Sequence, residues 1–540
     1  MRRQNYYSTA LIFVLLFGLL AVFLVHNFDS IGQDIGRHLK TGEIIWQTKS
    51  VPTTNLFSFT EPDFPFTNHH WLSEVIFYGV FNLGGFTGLI WLKFFVVFAT
   101  FLLLFFTTKH LWIIDFANRL STGWAVIISF LLSIFIFISR TEVRPEIFSY
   151  AILAFFLFVL FKTKYELTTS PRRGVAMSGL WFLPLAQLLW VNLHIYFFIG
   201  PLLFFAFFID CLSQREIRNT KYVIRKLFLI GGLIGLATLI NPAGIQGALL
   251  PFNILNEYGY SIVENQTLAF LADFFGFNLP IFIFKISAAV LVFSFLRTIK
   301  KTKERIFEIL ISTFFIYAGF RMLRNLPLYA LVSFPVLTIL LTDMVRTFGV
   351  KLTTSDGRGT SDVKKYADKF FKMAIAGFLV LMLFFVASGG YYKWANLSKK
   401  VGFSVPDGLE QAVDFVKDNK IEGPMFNNFD IGGYLIWKLP NEKVFVDNRP
   451  EAYSVEFFSE IYKPMQENEE KWAEFSEKYG INFVFFGHTD ATPWGQAFLK
   501  NIIKNPSWKV VFINENAIIL VKNITKNESI FSKYKYELAE

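Results

Sequence analysis

Residues 28–74, FDSIGQDIGRHLKTGEIIWQTKSVPTTNLFSFTEPDFPFTNHHWLSE, form the first polar segment after an apolar run long enough to cross a bilayer, and their reading decides how the rest of the chain is understood. The segment carries Asp29, Asp34, Glu43, Glu61, Asp63 and Glu74 together with His38, His69 and His70, three of the seven histidines in the chain. Acid and imidazole are thus concentrated in one loop of a chain that is otherwise mostly apolar. Within DIGRHLKTGEII (34–45), Asp34 and His38 stand four residues apart, so a helix there sends both side chains from one face, where they can share a ligand or a proton. The same spacing equally describes an interfacial amphipathic turn whose polar face is merely wet.

Working outward, composition sets the class. Hydrophobic residues make up 53% of the 540, only 17% are charged, and there are 68 Phe. With a mean hydropathy of +0.43, this is a polytopic membrane protein. The single cysteine, Cys211, lies in an apolar run and excludes an intrachain disulfide. A formal charge of +10 in a soluble protein would point to nucleic acid. Here the basic residues gather in short loops, which is the positive-inside pattern, and nucleic acid is excluded as a partner.

The run from Ser8 to His26, behind Met1-Arg2-Arg3, reads as a first span with a cytoplasmic N-terminus rather than a cleaved signal. HHWLSEVIFYGVFNLGG then reads as an interfacial amphipathic stretch, and a span follows from Gly85 to Phe106, with Lys109 and Arg119 at its inner end. Further apolar stretches fall at 122–139, 147–162, 175–191, 195–212, 227–240, 279–297, 306–320, 326–343 and 371–388, which makes about eleven crossings. Loops 162–173 (Lys162, Lys164, Arg172, Arg173), 213–226 (Arg215, Arg218, Lys221, Arg225, Lys226) and 297–305 (Arg297, Lys300, Lys301, Lys303, Arg305) all fall inside in one consistent topology. Loop 344–372, with KLTTSDGRGTSDVKK at its centre, joins them as a flexible basic patch, whereas 241–278 contains no Lys or Arg. An odd number of spans leaves the C-terminal region outside.

That region changes character. VPDGLEQAVDFVKDNK and EEKWAEFSEKYG read as helices, PMFNN, KVFVDNR and INFVFFGH as strands, and WKVVFINENAIILVKN as a closing hairpin around Asn514 and Asn516. The expected fold class is therefore a polytopic α-helical membrane protein with a C-terminal extracytoplasmic α/β domain. The division is a membrane domain at 1–390 containing the first outer loop 28–74, an α/β domain at 391–525, and a frayed polar tail at 526–540.

The outer-side polar residues then collect into a set: the Asp34/His38 face, His69, His70 and Glu74, Arg140, Arg144 and Glu146 of RTEVRPEIFS, Asn192 and His194 of WVNLH, Asn241 of NPAG, and Arg321, Arg324 and Asn325 of RMLRNLP. An arginine near hydrocarbon costs ~2.5–3.5 kcal/mol at a helix centre, so short loops carrying RxxxR and RxxR beside apolar spans call for a compensating anion, of which lipid phosphate is the obvious one. Lys285, toward the outer end of its span, can snorkel to the same anion. The competing reading is that Arg144 and Arg324 only anchor helix ends to headgroups or pair with Glu142 and Glu146.

DIGRHLKTGEII, VPTTNLFSFT and NHHWLSEV, followed by RPEIFSYA, WVNLH, NPAG, RNLPLYALV, DIGGYLIWKLP and VFVDNRPEAY, resemble a bacterial group of polytopic proteins in the GT-C glycosyltransferase superfamily. The resemblance runs over nearly the whole chain. It implies a cell-membrane enzyme, probed by no single motif, that moves sugar from a polyprenyl-phosphate donor to a lipid, protein or glycan acceptor at the outer face. It also assigns the first outer-loop acid, Asp34, as catalytic base, with His38 orienting it or helping to bind phosphate. Arg144 and Arg324 are the candidates for a phosphate clamp, and Glu74, His69, His70, Asn192, His194, Asn241, Lys285 and Arg321 are further candidates for substrate binding. Related sequences tend to have His-Glu before Trp-Leu where this chain has His69-His70, so a carboxylate role does not carry over to position 70, and Glu74 becomes the nearest acid. The loop has no DxD pair, so no cofactor is expected and no metal ligand is assigned; Asp34, His38 and Glu74 are the one set a divalent ion could use.

In the C-terminal motif, Asp447, Arg449, Glu451 and Tyr453 read either as an acceptor-binding surface or, preferably, as a structural ion pair with a packed tyrosine. Three other classes compete with the enzyme. A transporter or flippase for a lipid-linked substrate calls for ionisable groups at mid-membrane, where the sequence reading finds little besides Lys285. A noncatalytic scaffold leaves the acid and arginine cluster unexplained. A polymer ligase using similar lipid-phosphate chemistry is the nearer alternative.

Overall fold

A computed structural model describes residues 2–540 apart from 29–33, 114–118, 170–176, 215–216, 218–219, 254–257, 261–264, 353–359, 405–408, 489 and 535–540, and without the side chains of 2–7, 109–122, 168–169, 272–275 and 345–368. Asp29, Arg172, Arg173, Arg215, Arg218 and most of the basic patch centred on 351–365 therefore lie outside the described residues, as do the side chains of Lys109 and Arg119. Contacts divide the chain into two units. One comprises Met1–Asn27, Ile90–Gly244 and Ile262–Phe403; the other comprises Phe28–Leu89, Ile245–Ser261 and Ser404–Glu540.

The first unit is helical. A helix stands at each of the eleven apolar stretches, from Arg2–Leu24 to Thr360–Ala387. Among the described residues six helices are long and apolar enough to cross a membrane, and Ser8–Leu24, Gly123–Phe137 and Ser178–Leu193 are shorter apolar helices. The helix Leu326–Leu352 is central, with 83% of its apolar window buried, against 17% for the window Lys369–Ala387, whose Phe370, Phe371, Leu381 and Phe384 are open to lipid. It packs on Arg119–Phe137, where the rings of Phe130 and Phe334 stack 5.1 Å apart and Ser133 Oγ donates to Ala330 O at 3.0 Å. Aromatic packing continues through Phe17 against Phe98, Phe105 and Phe130, which is where much of the large Phe content goes. Lys164 bonds Glu308 at 2.6 Å and Asp210 at 3.1 Å, tying three helices together at buried carboxylates.

One expectation about the spans is corrected. Lys93, in the helix Trp71–Ile113, is as deeply buried as any apolar neighbour, and its Nζ lies 3.1 Å from His26 Nε2. Besides Lys285, the spans thus hold buried charge: Lys93, concealed in sequence by the FFVVFATF run that follows it, and Asp210, Glu308 and Lys372.

The second unit is α/β. Its sheet has the order β1-β2-β4-β3, with β1 (Met425–Asn427) parallel to β2 (Phe483–Phe486), and β4 (Ile518–Lys522) antiparallel to both β2 and β3 (Trp508–Ile513). β1 and β2 are buried along their whole length, which explains the unbroken apolar sequence of β2, while the Asn427 side chain in β1 donates to Val446 O and accepts from Phe445 N–H. The β3–β4 hairpin turns at Asn514, whose side chain accepts from the N–H groups of Asn516 and Ala517. The helices Glu410–Asp418 and Glu469–Lys478 stand where their periodicity predicts them.

KVFVDNR departs from expectation. It forms no ladder strand: Val444 makes one isolated bridge with Ser58, Phe445 N–H donates to Asn427 Oδ1, and Asp447 N–H donates to the Tyr453 hydroxyl. Side chains satisfy backbone groups that a strand neighbour would otherwise take. The tail also departs in part, because Glu528–Lys533 is helical and Ile530, Phe531 and Tyr534 pack on the core, while 535–540 lies outside the described residues.

The first outer loop groups with this unit rather than with the bundle. Ser58 and Thr60 hydroxyls donate to Phe445 O, Asn55 Nδ2 donates to Ala452 O, and Glu61 accepts from Ser454 Oγ and N–H. The helix Ile35–Thr48 packs on Phe429–Lys438. The backbone of Trp71–Ile113 leaves the helical region at Gly85 (φ 58°, ψ −151°), the residue at which the sequence reading begins the span.

Candidate functional site

Asp34 is the residue just before the helix Ile35–Thr48, and its backbone is left-handed, φ 57° and ψ 5°. A non-glycine residue is rarely found there, and Asp is among the few that tolerate it. Its side chain does not cap its own helix; the carboxylate instead accepts a hydrogen bond from the Asn448 amide. The Asp34 carbonyl takes the His38 N–H at 3.2 Å, so the first helical turn connects the two residues through the backbone.

One turn in, Arg37 and His38 point into a buried polar cluster. Glu74 has no exposed surface, and its Oε1 lies 2.9 Å from His38 Nδ1, 3.2 Å from Arg37 Nη1 and 3.5 Å from His70 Nε2. Asn68 Nδ2 donates to the other oxygen at 2.6 Å. The guanidinium of Arg37 also reaches His38 Nε2 at 3.3 Å and His70 Nε2 at 3.4 Å. The rings of His38 and His70 meet edge to face at 4.8 Å, and His69, half-buried, sits against His70 with centroids 4.3 Å apart. Ligand atoms of His38, His70 and Glu74 fall within 4.8 Å of one another, close enough to form a metal-ligand set, and Asp34 is not among them.

The same unit adds residues that sequence reading passed over. Asp430 is partly open to solvent, but crowding by neighbouring atoms and the carboxylates of Asp490 and Asp34 raise its carboxyl to about 6. Asp447 and Arg449 form a buried two-point pair, Nε–Oδ1 2.8 Å and Nη2–Oδ2 2.7 Å. Tyr453 donates its hydroxyl to Asp447 Oδ2, and Asn55 Oδ1 takes another Arg449 N–H. Every oxygen of Asp447 is engaged within the protein, so the structural reading of this motif holds. Arg37, Asn68 and Asn448 carried no signal in the sequence beyond lying near the motifs.

In the helical unit the structure draws together Arg140, Glu146, Arg324, Tyr196 and Asn325. Arg140 Nη2 lies 2.7 Å from Glu146 Oε1 and Arg324 Nη2 3.9 Å from the same oxygen. Arg324 Nε donates to the Tyr196 hydroxyl, which in turn donates to Asn325 Oδ1 at 3.2 Å, and Nη1 reaches Asn265 Oδ1 at 3.1 Å. His194 is buried, with Nδ1 3.0 Å from Ser149 Oγ, the hydroxyl that accepts from Trp190 Nε1. Arg144 is half-buried beside this group, and its charge is felt by Glu142, two residues nearer Arg140 in the same turn region. Against the burial that would raise it, Lys399 at 2.5 Å holds the Glu142 carboxyl below the ordinary carboxylate range. Among the described residues Arg140, Arg144, Arg324 and Lys399 gather around Glu142 and Glu146. Asn192 donates to Leu188 O and Ile240 O, and Asn241 to Thr238 O and Gly244 O, so both asparagines brace turns. Lys285 and Arg321 are exposed on their helices, and among the described residues neither forms an ion pair.

No protein-family profile matches the sequence, and no curated protein matches it. Solved structures do. Archaeal oligosaccharyltransferase AglB from Archaeoglobus fulgidus, in complex with an inhibitory peptide and a dolichol-phosphate, is similar at a TM-score of 0.59 and 11% identity, over 92% of this chain and 71% of that one. The same enzyme in complex with Zn and sulfate is similar at a TM-score of 0.55 and 11% identity, over 95% and 73%. ArnT from Cupriavidus metallidurans in the apo state is similar at a TM-score of 0.54 and 11% identity, over 97% of this chain and 98% of that one. These neighbours are GT-C membrane glycosyltransferases, and theirs is the fold of this chain.

Proposed function

We propose that this protein is a membrane glycosyltransferase that moves a sugar from a polyprenyl-phosphate-linked donor to a lipid, protein or glycan acceptor at the outer face of the cell membrane. The observation that carries the proposal is Asp34, a carboxylate on a strained backbone held by Asn448, one helical turn before the buried Arg37–His38–His70–Glu74 cluster. Strain of this kind persists where surrounding structure enforces it and collects at functional sites. The GT-C fold, and a neighbour crystallised with a dolichol-phosphate, support the donor class.

In the proposed reaction the acceptor hydroxyl gives its proton to Asp34 as its oxygen bonds to the sugar C1. The bond from C1 to the phosphate oxygen breaks, and polyprenyl phosphate leaves with the electron pair. His38, set by Glu74 and Arg37, orients the Asp34 turn. Arg144 and Arg324, with His194 nearby, are proposed to balance phosphate charge before and during departure, a role suited to guanidinium groups. His69, His70, Asn192, Asn241, Lys285 and Arg321 are assigned to shaping or approach of the substrate. The topology that fits is a cytoplasmic N-terminus, about eleven crossings and an extracytoplasmic α/β domain. No cofactor is invoked.

A second reading, transport of a lipid-linked substrate, is favoured by the buried Lys93–His26 contact, since ionisable groups within the membrane often serve passage. One assay separates the two: transfer of sugar from a panel of polyprenyl phosphate sugars in liposomes. Asp34→Asn keeps shape and hydrogen bonding but loses basicity, so turnover should fall ~10²–10⁴-fold at unchanged expression and melting temperature. Wild-type protein that transfers nothing from any donor, or a variant as active as wild type, overturns the proposal and moves the transport reading ahead.

A further inference from the structure

We propose that Arg37 stands in the place of a metal ion, its guanidinium acting as a permanent cation that closes the His38–His70–Glu74 ligand set to divalent metals. Two imidazoles and a carboxylate whose ligand atoms lie within 4.8 Å of one another are a set that Zn²⁺ or Co²⁺ would ordinarily use. A metal would need one lone pair from each, pointing at a shared centre about 2.0–2.2 Å away.

Those lone pairs are already engaged. A guanidinium has donors only, so His38 Nε2 at 3.3 Å meets it as an acceptor with the ring proton on Nδ1, while His70 Nε2 lies between Arg37 Nη1 at 3.4 Å and Glu74 Oε1 at 3.5 Å. For His38 that assignment is confirmed by the second contact, because its Nδ1 faces Glu74 Oε1 at 2.9 Å and must donate there. Glu74 Oε1 also receives Arg37 Nη1 at 3.2 Å, and its Oε2 receives the Asn68 amide at 2.6 Å. Arg37 and the three residues around it are all buried, so a divalent ion arriving beside the guanidinium would meet a like charge with little water to screen it. Because arginine stays charged at any working pH, the arrangement holds His38 Nε2 as an acceptor and gives the cluster a cation that cannot dissociate.

The test reads metal rather than turnover, so it can fail while the transferase reading stands, and the reverse. The intact chain in detergent is dialysed against Co²⁺, and bound metal is followed by elemental analysis and by its visible absorption. Wild type should take up no Co²⁺ at this cluster. Arg37→Ala should gain at least about tenfold in Co²⁺ affinity, and Arg37→Ala with His70→Ala should lose it again. Arg37→Gln, closer in shape, serves if the alanine variant does not fold. The proposal is overturned if wild type binds Co²⁺ and His70→Ala abolishes that binding, or if a folded Arg37 variant binds no more than wild type. Should neither variant fold, the wild-type dialysis decides.

Discussion

Asn448 donates its side-chain amide to the carboxylate of Asp34, a residue 414 positions away in sequence whose backbone is left-handed. The contact fixes one rotamer of the proposed base and tempers its basicity, because a donor bonded to a carboxylate favours the charged form. Asn448→Ala should therefore leave melting within about 1 kcal/mol of wild type while lowering turnover. Asn448→Asp places a like charge beside the base and should move the acidic limb of the pH–rate profile upward. A profile in Asn448→Asp that coincides with wild type would show that Asp34 is not the titrating group.

The position of the Asp34 turn depends on a close backbone approach. A Cβ on Gly36 would lie 2.5 Å from Gly433 O and 3.1 Å from Trp437 Cβ, so Gly36→Ala must push the helix Ile35–Thr48 away from Phe429–Lys438. The expected cost is about 1–3 kcal/mol, read from thermal melts in detergent. Gly79→Ala is the control, because a Cβ there meets nothing within 4 Å, and in a helix interior it should stabilise by up to about 1 kcal/mol. Equal melting of the two variants would refute the close approach.

Asp430 supplies a pH dependence of known sign. Its carboxyl is raised from the ordinary 3.8 to about 6, so the folded protein holds that proton more tightly than the unfolded chain does. The contribution to stability is fully present below pH 3.8 and is lost as pH rises through about 6. Since the group reaches solvent, screening limits the effect to below about 1 kcal/mol. Asp430→Asn should therefore gain on wild type as pH is taken from 4 to 7. A stability difference that stays flat over that window removes Asp490 and Asp34 as interacting neighbours.

The proposed topology can be read with cysteines, because the native Cys211 is buried and gives a silent background. Asp63, Lys300 and Ser507 are exposed. In intact cells an impermeant thiol reagent should label Asp63→Cys and Ser507→Cys, and leave Lys300→Cys unlabelled until the membrane is opened. Labelling at 300 alone would invert the orientation.

Much of this was legible because it is local. The long apolar runs of the first unit give helices, and Gly85 marks its own kink. Asp34 and His38 do not leave one helical face, because the helix begins at Ile35 and Asp34 precedes it on a left-handed backbone that periodicity cannot foresee. What stayed hidden depends on partners far along the chain. KVFVDNR has the composition of a strand, yet Ser58 and Thr60, more than 380 residues away, and Asn427 take its backbone groups. Arg37 drew no reading from the sequence, and only the convergence of His70, Glu74 and His38 on it reveals a buried charge.

Arg140 and Arg324 share Glu146 unequally, and that difference predicts opposite behaviour on substitution. Arg140 sits 2.7 Å from the carboxylate and is buried, so Arg140→Ala strands a buried Glu146 and should cost about 3–5 kcal/mol, seen as poor expression or early melting. Arg324 stands 3.9 Å away, is more exposed, and among the described residues donates to neutral Tyr196 and Asn265. Arg324→Ala should therefore melt close to wild type. As a charged donor to phosphate it is worth about 1.5–3 kcal/mol, so donor affinity and turnover should fall together by about 10- to 100-fold, because a guanidinium that holds ground-state phosphate also holds the departing one. Arg324→Lys keeps the charge but loses the planar fork and should recover only part of the loss. Donor binding to detergent-solubilised protein, measured beside turnover, checks both halves. If Arg324→Ala binds donor as wild type does while its melting falls sharply, Arg324 is an anchor of the bundle and the phosphate role passes to Arg144.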